Sequence, residues 1–206
     1  MMLFRIFRIL AAARAALHLW LFRRSSERTH IQRDVERWLE VTSFADSDGA
    51  DWNGLVWLLW KFPEFRTLFY YRIKRQRGLA TRLFLELAKL FYRPLDSLYL
   101  DVPSIGPGLF IQHGFSTIVA AESVGENCWI NQQVTVGFAN ENDRPVIGNH
   151  VQITAGAKVI GRVRIGDHSI VGANAVVVKD VPPNCTVVGV PAYIVKQDGV
   201  KVRKDL

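Results

Sequence analysis

From about residue 100 onward, aliphatic residues recur at every sixth position. Ile118, Val124, Ile130 and Val136 form one run, and Ile147, Ile153, Val159, Ile165, Val171 and Val177 form a second after an interruption. Ile105 and Ile111 precede the first run, one residue out of phase. Glycine follows the aliphatic at Gly106, Gly125, Gly137, Gly148, Gly166 and Gly172. Repetition on this scale outranks local propensity in deciding what the chain builds. One short strand and one tight turn fill such a unit, with glycine easing the sharp corner. Three units complete a triangular coil, and successive coils stack at about 4.8 Å, the usual strand spacing. One aliphatic per unit points inward onto the next coil's, so the core is continuous. The position four after each aliphatic, held by Cys128, Val134, Ala157, Ser169 and Ala175, is expected to be tight and buried. Cys128 therefore reads as a small core residue and not as a reactive thiol.

The first half has no such period and reads as helical. Met1 to Arg24 mixes Leu, Ile, Phe and Trp with arginines. Asp51 to Arg75 is rich in aromatics, with Pro63 opening or breaking a helix. Leu79 to Tyr92 repeats the pattern and Pro94 ends it, while Ser43 to Gly49 is a polar loop. The expected division is a helical segment over 1–97, a repeat domain over 98–195 and a basic tail over 196–206.

Composition narrows the classes. The 206 residues are 49% apolar and 22% charged, enough for a core and against wholesale disorder. The net charge of +7 is carried by the first ninety or so residues and the tail, which suits anionic partners such as phospholipid headgroups or nucleotide phosphates. No zinc-finger, basic-zipper or RNA-recognition pattern accompanies the charge, so no nucleic-acid partner is expected. Cys128 and Cys185 form no C-x-x-C pair and point to a reducing, cytoplasmic setting. Arg5, Arg8 and Arg14 interrupt the N-terminal apolar stretch short of a membrane span, and it carries no cleavage site of a signal peptide. With its arginines among Leu, Phe and Trp, that stretch suits either an oligomer contact or peripheral contact with the inner face of a membrane.

Four segments, IGPGLFIQHG (Ile105–Gly114), NQQVTVG (Asn131–Gly137), ITAGAKVIG (Ile153–Gly161) and VVVKDVPPNCTVVGVPAYIV (Val176–Val195), resemble the hexapeptide-repeat acyltransferases, specifically the serine-acetyltransferase-like branch. The resemblance implies an α+β chain, an α-helical N-terminal segment followed by a left-handed parallel β-helix, assembled as a homotrimer or hexamer with sites between subunits. The hand comes from the resemblance alone, since the rule for parallel crossovers gives the opposite. Acetyl-CoA is the implied co-substrate, with no metal.

The resemblance also implies roles. His113 would be the general base, because a hydroxyl is a poor nucleophile and a neutral imidazole can take its proton during attack on a thioester. His113 falls where the repeat slips, and such irregularities re-aim side chains towards sites. Asp101 would orient its ring; the other reading is a carboxylate capping open backbone at the end of the coil. The loop breaking the period between Val136 and Ile147 would cover the substrates, with Asn140, Asp143 and Arg144 meeting the acceptor; a solvated turn is the alternative. Gln132 matches a family glutamine of the same cleft. Pantetheine would lie against the narrow backbone of Ala155, Gly156 and Ala157, and Lys158, Lys179, Lys196 and Lys201 are candidates for the phosphates, each also readable as an ordinary surface lysine.

The pattern departs from serine acetyltransferases at two positions. Gln112 stands where they carry an aspartate suited to a substrate ammonium, and Pro145 follows Asp143-Arg144 where they carry a histidine. Losing two charged contacts of roughly 1.5–3 kcal/mol each weakens amino-acid binding. The expectation is therefore transfer to a sugar or glycan hydroxyl in envelope polysaccharide synthesis, with L-serine O-acetylation as one alternative and a non-catalytic trimeric scaffold as another. His150 and His168 are expected to stack on one corner a coil apart, outside any metal site.

Overall fold

Five helices and sixteen short strands occupy the described residues of the computed structural model, 14–42, 52–76, 78–140 and 142–206. The chain divides between Leu95 and Asp96 into a helical unit and a repeat unit.

In the helical unit, α1 runs Ala16–Arg24, α2 Arg28–Val41, α3 Trp52–Lys61, α4 Pro63–Lys74 and α5 Leu79–Phe91. Pro63 is the first residue of α4, where its missing N–H costs nothing, so the aromatic stretch becomes two helices. The expected helix over Leu79 to Tyr92 is α5, and α1 is the C-terminal part of the one expected from Met1 to Arg24. Residues 1–13 and the Ser43 to Gly49 loop lie outside the described residues. Helix α2 falls outside the helices expected from the sequence: Ile31, Val35 and Trp38, at i, i+4 and i+7, are buried on one face. Trp38 packs edge-on against Phe62 and Phe65. Beside them the Arg72 guanidinium grips Asp34 with two bonds, Nε–Oδ2 2.9 Å and Nη2–Oδ1 3.2 Å, and both residues are buried. Removing one partner of such a pair would strand a buried charge.

The repeat unit is a left-handed parallel β-helix of five coils. Its first face is made by β1 (Leu98–Leu100), β4 (Thr117–Val119), β7 (Thr135–Gly137), β10 (Lys158–Ile160) and β13 (Val176–Val177). The second is made by β2 (Ser104–Ile105), β5 (Ser123–Val124), β8 (Val146–Ile147) and β11 (Arg164–Ile165). The third is made by β3 (Phe110–Ile111), β6 (Trp129–Ile130), β9 (Gln152–Ile153), β12 (Ile170–Val171) and β14 (Cys185–Val188). Parallel register stacks Ile111, Ile130, Ile153, Val171 and Val187 on the third face, and Val119, Val136, Val159 and Val177 on the first, all buried. Each such side chain contributes about 1.5–3 kcal/mol by leaving water. The tail expected over 196–206 is strand: β15 (Tyr193–Gln197) pairs antiparallel with β14, and β16 (Val200–Asp205) antiparallel with β15.

Two readings of the repeat are corrected. Ile118 is 45% exposed and its neighbours Thr117 and Val119 face inward. The corner after Ile111 holds Gln112–Ser116, two residues longer than Asn131–Gln133 one coil on, and the next corner is one residue short. Their net is the one-residue slip seen in the sequence, but the excess lies entirely before Ile118 and alternation turns it outward. The second correction concerns the glycines. Gly106, Gly125, Gly148 and Gly166 do not take the left-handed corner; a Cβ on any of them would come within 2.6 Å of an atom of the next coil. They allow coils to stack closely. The left-handed φ falls two residues later, at Gly108, Asn127, His150, His168 and Asn184, one above another on the corner between the second and third faces. The positions four after the aliphatic, Cys128, Val134, Ala157, Ser169 and Ala175, are fully buried as expected.

Candidate active site

His113 stands on the lengthened corner between the third and first faces, with φ +52°. Left-handed backbone is costly for a non-glycine residue, about 1–3 kcal/mol, and survives only where surrounding bonds over-determine it. Here they do. The His113 carbonyl accepts from Phe115 N at 2.7 Å, the Phe115 carbonyl accepts from Gln133 N at 3.0 Å, and Gln112 N donates to Ile130 O at 2.9 Å. Thr117 Oγ1 donates to the carbonyls of Phe115 and Asn131. The loop is tied to the coil beneath, while the imidazole is exposed and none of the hydrogen bonds described within the chain engages its ring.

Along the same corner lie the residues of the following coils. Asn131 Nδ2 donates to Gln112 Oε1 at 2.9 Å, fixing the side chain before His113. Gln132 follows, its Oε1 buried without a hydrogen-bond partner and its carbonyl accepting from Gly156 N at 3.0 Å. Ala155 and Gly156 come next, with Gly156 at φ +72° and a Cβ there only 2.1 Å from Asn174 Oδ1. Ala157 points inward, and Lys158 donates from Nζ to Gln133 O at 2.7 Å. Gln112, His113, Gln132, Ala155, Gly156 and Lys158 therefore share one edge of the prism. Asn131 was not singled out from sequence; its only signal is that it lies one coil below Gln112.

The remaining candidates lie elsewhere. Asp101, between β1 and β2, and the loop from Phe138 to Pro145, between β7 and β8, occupy the next corner, between the first and second faces. There the Arg144 guanidinium takes Asp101 from both sides, Nη2 to Oδ2 and Nη1 to the carbonyl, each 2.9 Å. Asp101 is thus engaged by Arg144, and within one chain it makes no bond to His113. Asp143 closes the loop on itself, accepting from Ala139 N, Asn140 N and Asn140 Nδ2 at 2.8–3.1 Å. The bond from Asn140 N above all holds its carboxyl below the usual range. Arg162 adds a bond to Asn142 O, and Arg144 lies 5.3 Å over the Phe138 ring. Lys179 lies on this corner two coils further, bonded to Leu206 O at 2.7 Å, and Lys196 is exposed on β15.

Outside both edges, His150 and His168 stack as their spacing implies, centroids 4.7 Å apart and planes 5° apart, with Glu126 3.9 Å from His150. The Cys128 thiol donates to Gly148 O at 3.1 Å, and burial pushes it up to about 12, which removes it as a nucleophile near neutrality.

A pattern described as bacterial transferase hexapeptide (six repeats) matches residues 144–179. The serine acetyltransferase of Synechococcus elongatus is 34% identical over 167 residues, 76% of this chain and 66% of that protein. The chain belongs to the hexapeptide-repeat transferases. The serine acetyltransferase of Staphylococcus aureus strain Mu50 is 45% identical over 104 residues, 48% of this chain and 49% of that protein. The chain thus spans from about half to about two thirds of the length of those curated relatives. Among solved structures, the Neisseria gonorrhoeae serine acetyltransferase in complex with serine aligns with TM-score 0.62 at 26% identity, covering 88% of this chain and 74% of that one. The Brucella abortus enzyme aligns at 0.64 and 25%, covering 89% and 75%.

Proposed function

We propose that the chain is an acetyl-CoA-dependent O-acetyltransferase acting on L-serine, with His113 as general base. The observation that carries this is the edge itself: an exposed, backbone-strained His113 between a fixed Gln112 and a Gln132 whose buried Oε1 has no hydrogen-bond partner, two coils from a corner of small residues. In the reaction the His113 imidazole takes the acceptor's hydroxyl proton as that oxygen attacks the thioester carbonyl. The tetrahedral intermediate, stabilised by backbone N–H donors, collapses to the ester and the CoA thiolate, which recovers the proton from the imidazolium. No acyl-enzyme is needed. Ala155 and Gly156 leave room for pantetheine against backbone, and Lys158 stands beside them for a phosphate. The serine acceptor rests on the relatives' names, as does acetyl-CoA.

The working unit is a homotrimer. Its support is the division of the candidates between two edges of one prism: side-by-side packing would set the His113 edge of one subunit against the Asp101 and loop edge of the next. A second reading, a sugar hydroxyl as acceptor, has one observation in its favour. Gln112 is neutral and Arg144 is already committed to Asp101, so neither offers a free charge to an amino acid's ammonium or carboxylate. The relatives named above are serine acetyltransferases and do not support it. The deciding assay follows CoA release from acetyl-CoA with L-serine, against His113→Ala. Turnover lost in the variant supports the serine reading; stabilisation by acetyl-CoA without serine turnover moves the acceptor to sugars.

A further inference from the structure

Helix α5 buries one face and leaves an apolar one uncovered. Leu85 and Ala88 are inside. Leu79, Leu83, Leu87 and Leu90, at i, i+4, i+8 and i+11, are exposed by 86%, 57%, 39% and 71%, and Phe91 by 45%. That spacing keeps them on one side of the helix. An exposed stripe of large apolar residues on this scale marks an interaction surface.

Charge selects the occupant. Residues 1–95 hold 17 Lys and Arg against nine Asp and Glu, whereas 96–206 hold nine against ten. The positive charge therefore belongs entirely to the unit that carries the stripe. On α5, Arg82 is exposed beside the leucines, and Glu86 on the same side is neutralised by Lys89 at 2.6 Å; Lys74 and Arg75 precede the helix and Arg93 follows it, all exposed, with Arg75 3.9 Å from Glu27. On α1, which packs against α5, Trp20 lies edge-on to Phe84 at 4.6 Å, and the Arg24 guanidinium lies 5.0 Å over the Trp20 ring. Leucines and aromatics rimmed by arginines are the composition of a helix lying in an anionic lipid interface, apolar side among acyl chains and cations among headgroups. Two copies meeting through this face would instead bring two strongly basic surfaces together. Among the described residues no helix is long and apolar enough to cross a membrane, so the contact is peripheral.

We infer that the α5 stripe, with its flanking cations, docks the chain on an anionic membrane surface. The inference is independent of the acceptor and of the reaction. The test is sedimentation of the full chain with phosphatidylglycerol-containing vesicles and with pure phosphatidylcholine vesicles at two salt concentrations. The expected result is binding to the anionic vesicles that weakens with salt, and at least tenfold weaker binding for Leu79→Glu/Leu90→Glu. Those two side chains are the most exposed of the stripe, so their replacement leaves the core intact, and the far-UV spectrum and thermal midpoint check this. Equal binding to neutral and anionic vesicles, or binding untouched by the double substitution, overturns the inference. So does a fall in assembly size on the same substitution without any lipid binding, which would give the face to a second copy.

Discussion

Single residues on this scaffold are constrained first by backbone. His113, His150 and His168 all hold left-handed φ, at +52°, +55° and +58°. The latter two occupy a corner where the equivalent coil positions are glycine or asparagine, the residues that tolerate this region. His168→Asn should therefore leave stability unchanged or raise it slightly. His168→Val, β-branched at a positive φ, should cost about 1–3 kcal/mol in urea unfolding. Equal midpoints for the two variants would mean the corner is not constrained by φ. At His113 the same geometry serves chemistry. With an exposed ring that no hydrogen bond among the described residues engages, His113→Ala should shift the thermal midpoint little. It should lower kcat/KM by about 10²–10⁴-fold, the range for losing a general base. A large loss of stability with proportionate loss of activity would make His113 a folding residue.

At the level of elements, the loop from Phe138 to Pro145 is a clasp whose parts satisfy one another. Arg144 bonds Asp101 across 43 positions of sequence, and Asp143 caps the turn. The Arg144–Asp101 pair is partly solvated, with side chains 27% and 45% exposed, so screening holds its contribution to global stability within about 1 kcal/mol. Arg144→Ala should therefore move the thermal midpoint only slightly, yet speed limited proteolysis within 138–145 severalfold. An unchanged cleavage rate would show that the loop is held by other means. This element also shows what sequence can and cannot disclose. The period of six identified the solenoid, the small buried positions and the stacked histidines, because each follows from counting along a regular coil. Counting fails where corner lengths change: the two residues added around His113 turned Ile118 outward, and no spacing rule says on which side of an insertion the phase is restored. The Asp101–Arg144 bond is likewise invisible to spacing, since it depends on an irregular loop crossing two coils. Helix α2 was legible in Ile31, Val35 and Trp38 but was masked by its many charged residues.

The whole chain joins two units with different chemistry, and acid should distinguish them. In the helical unit, buried His18 bonds through Nε2 to Tyr70 Oη at 2.7 Å, and Tyr70 donates its own proton to Tyr92 O at 2.6 Å. The His18 Nε2 must therefore be the donor, which leaves Nδ1 as a bare acceptor, buried and without a partner. Protonation would place a charge there beside Arg66 and Arg14, against the Tyr70, Tyr92 and Phe69 rings. Burial, then those two cations, lower its pKa to about 4. In the unfolded chain the same imidazole titrates near 6.5. Between those values the unfolded state binds the extra proton, so stability falls as pH falls from about 6.5 to 4 and is unaffected by this group above 6.5. The full loss, below pH 4, is about 3 kcal/mol. The cost falls on the helical unit, which holds His18. Thermal unfolding followed at 222 nm should therefore show the helical signal moving to lower temperature across this window, ahead of the β signal. His18→Gln, neutral at every pH, should flatten that dependence even if it lowers the starting midpoint. A helical midpoint that stays constant between pH 6.5 and 4, or an equal slope in the variant, would remove His18 as the acid-sensitive group.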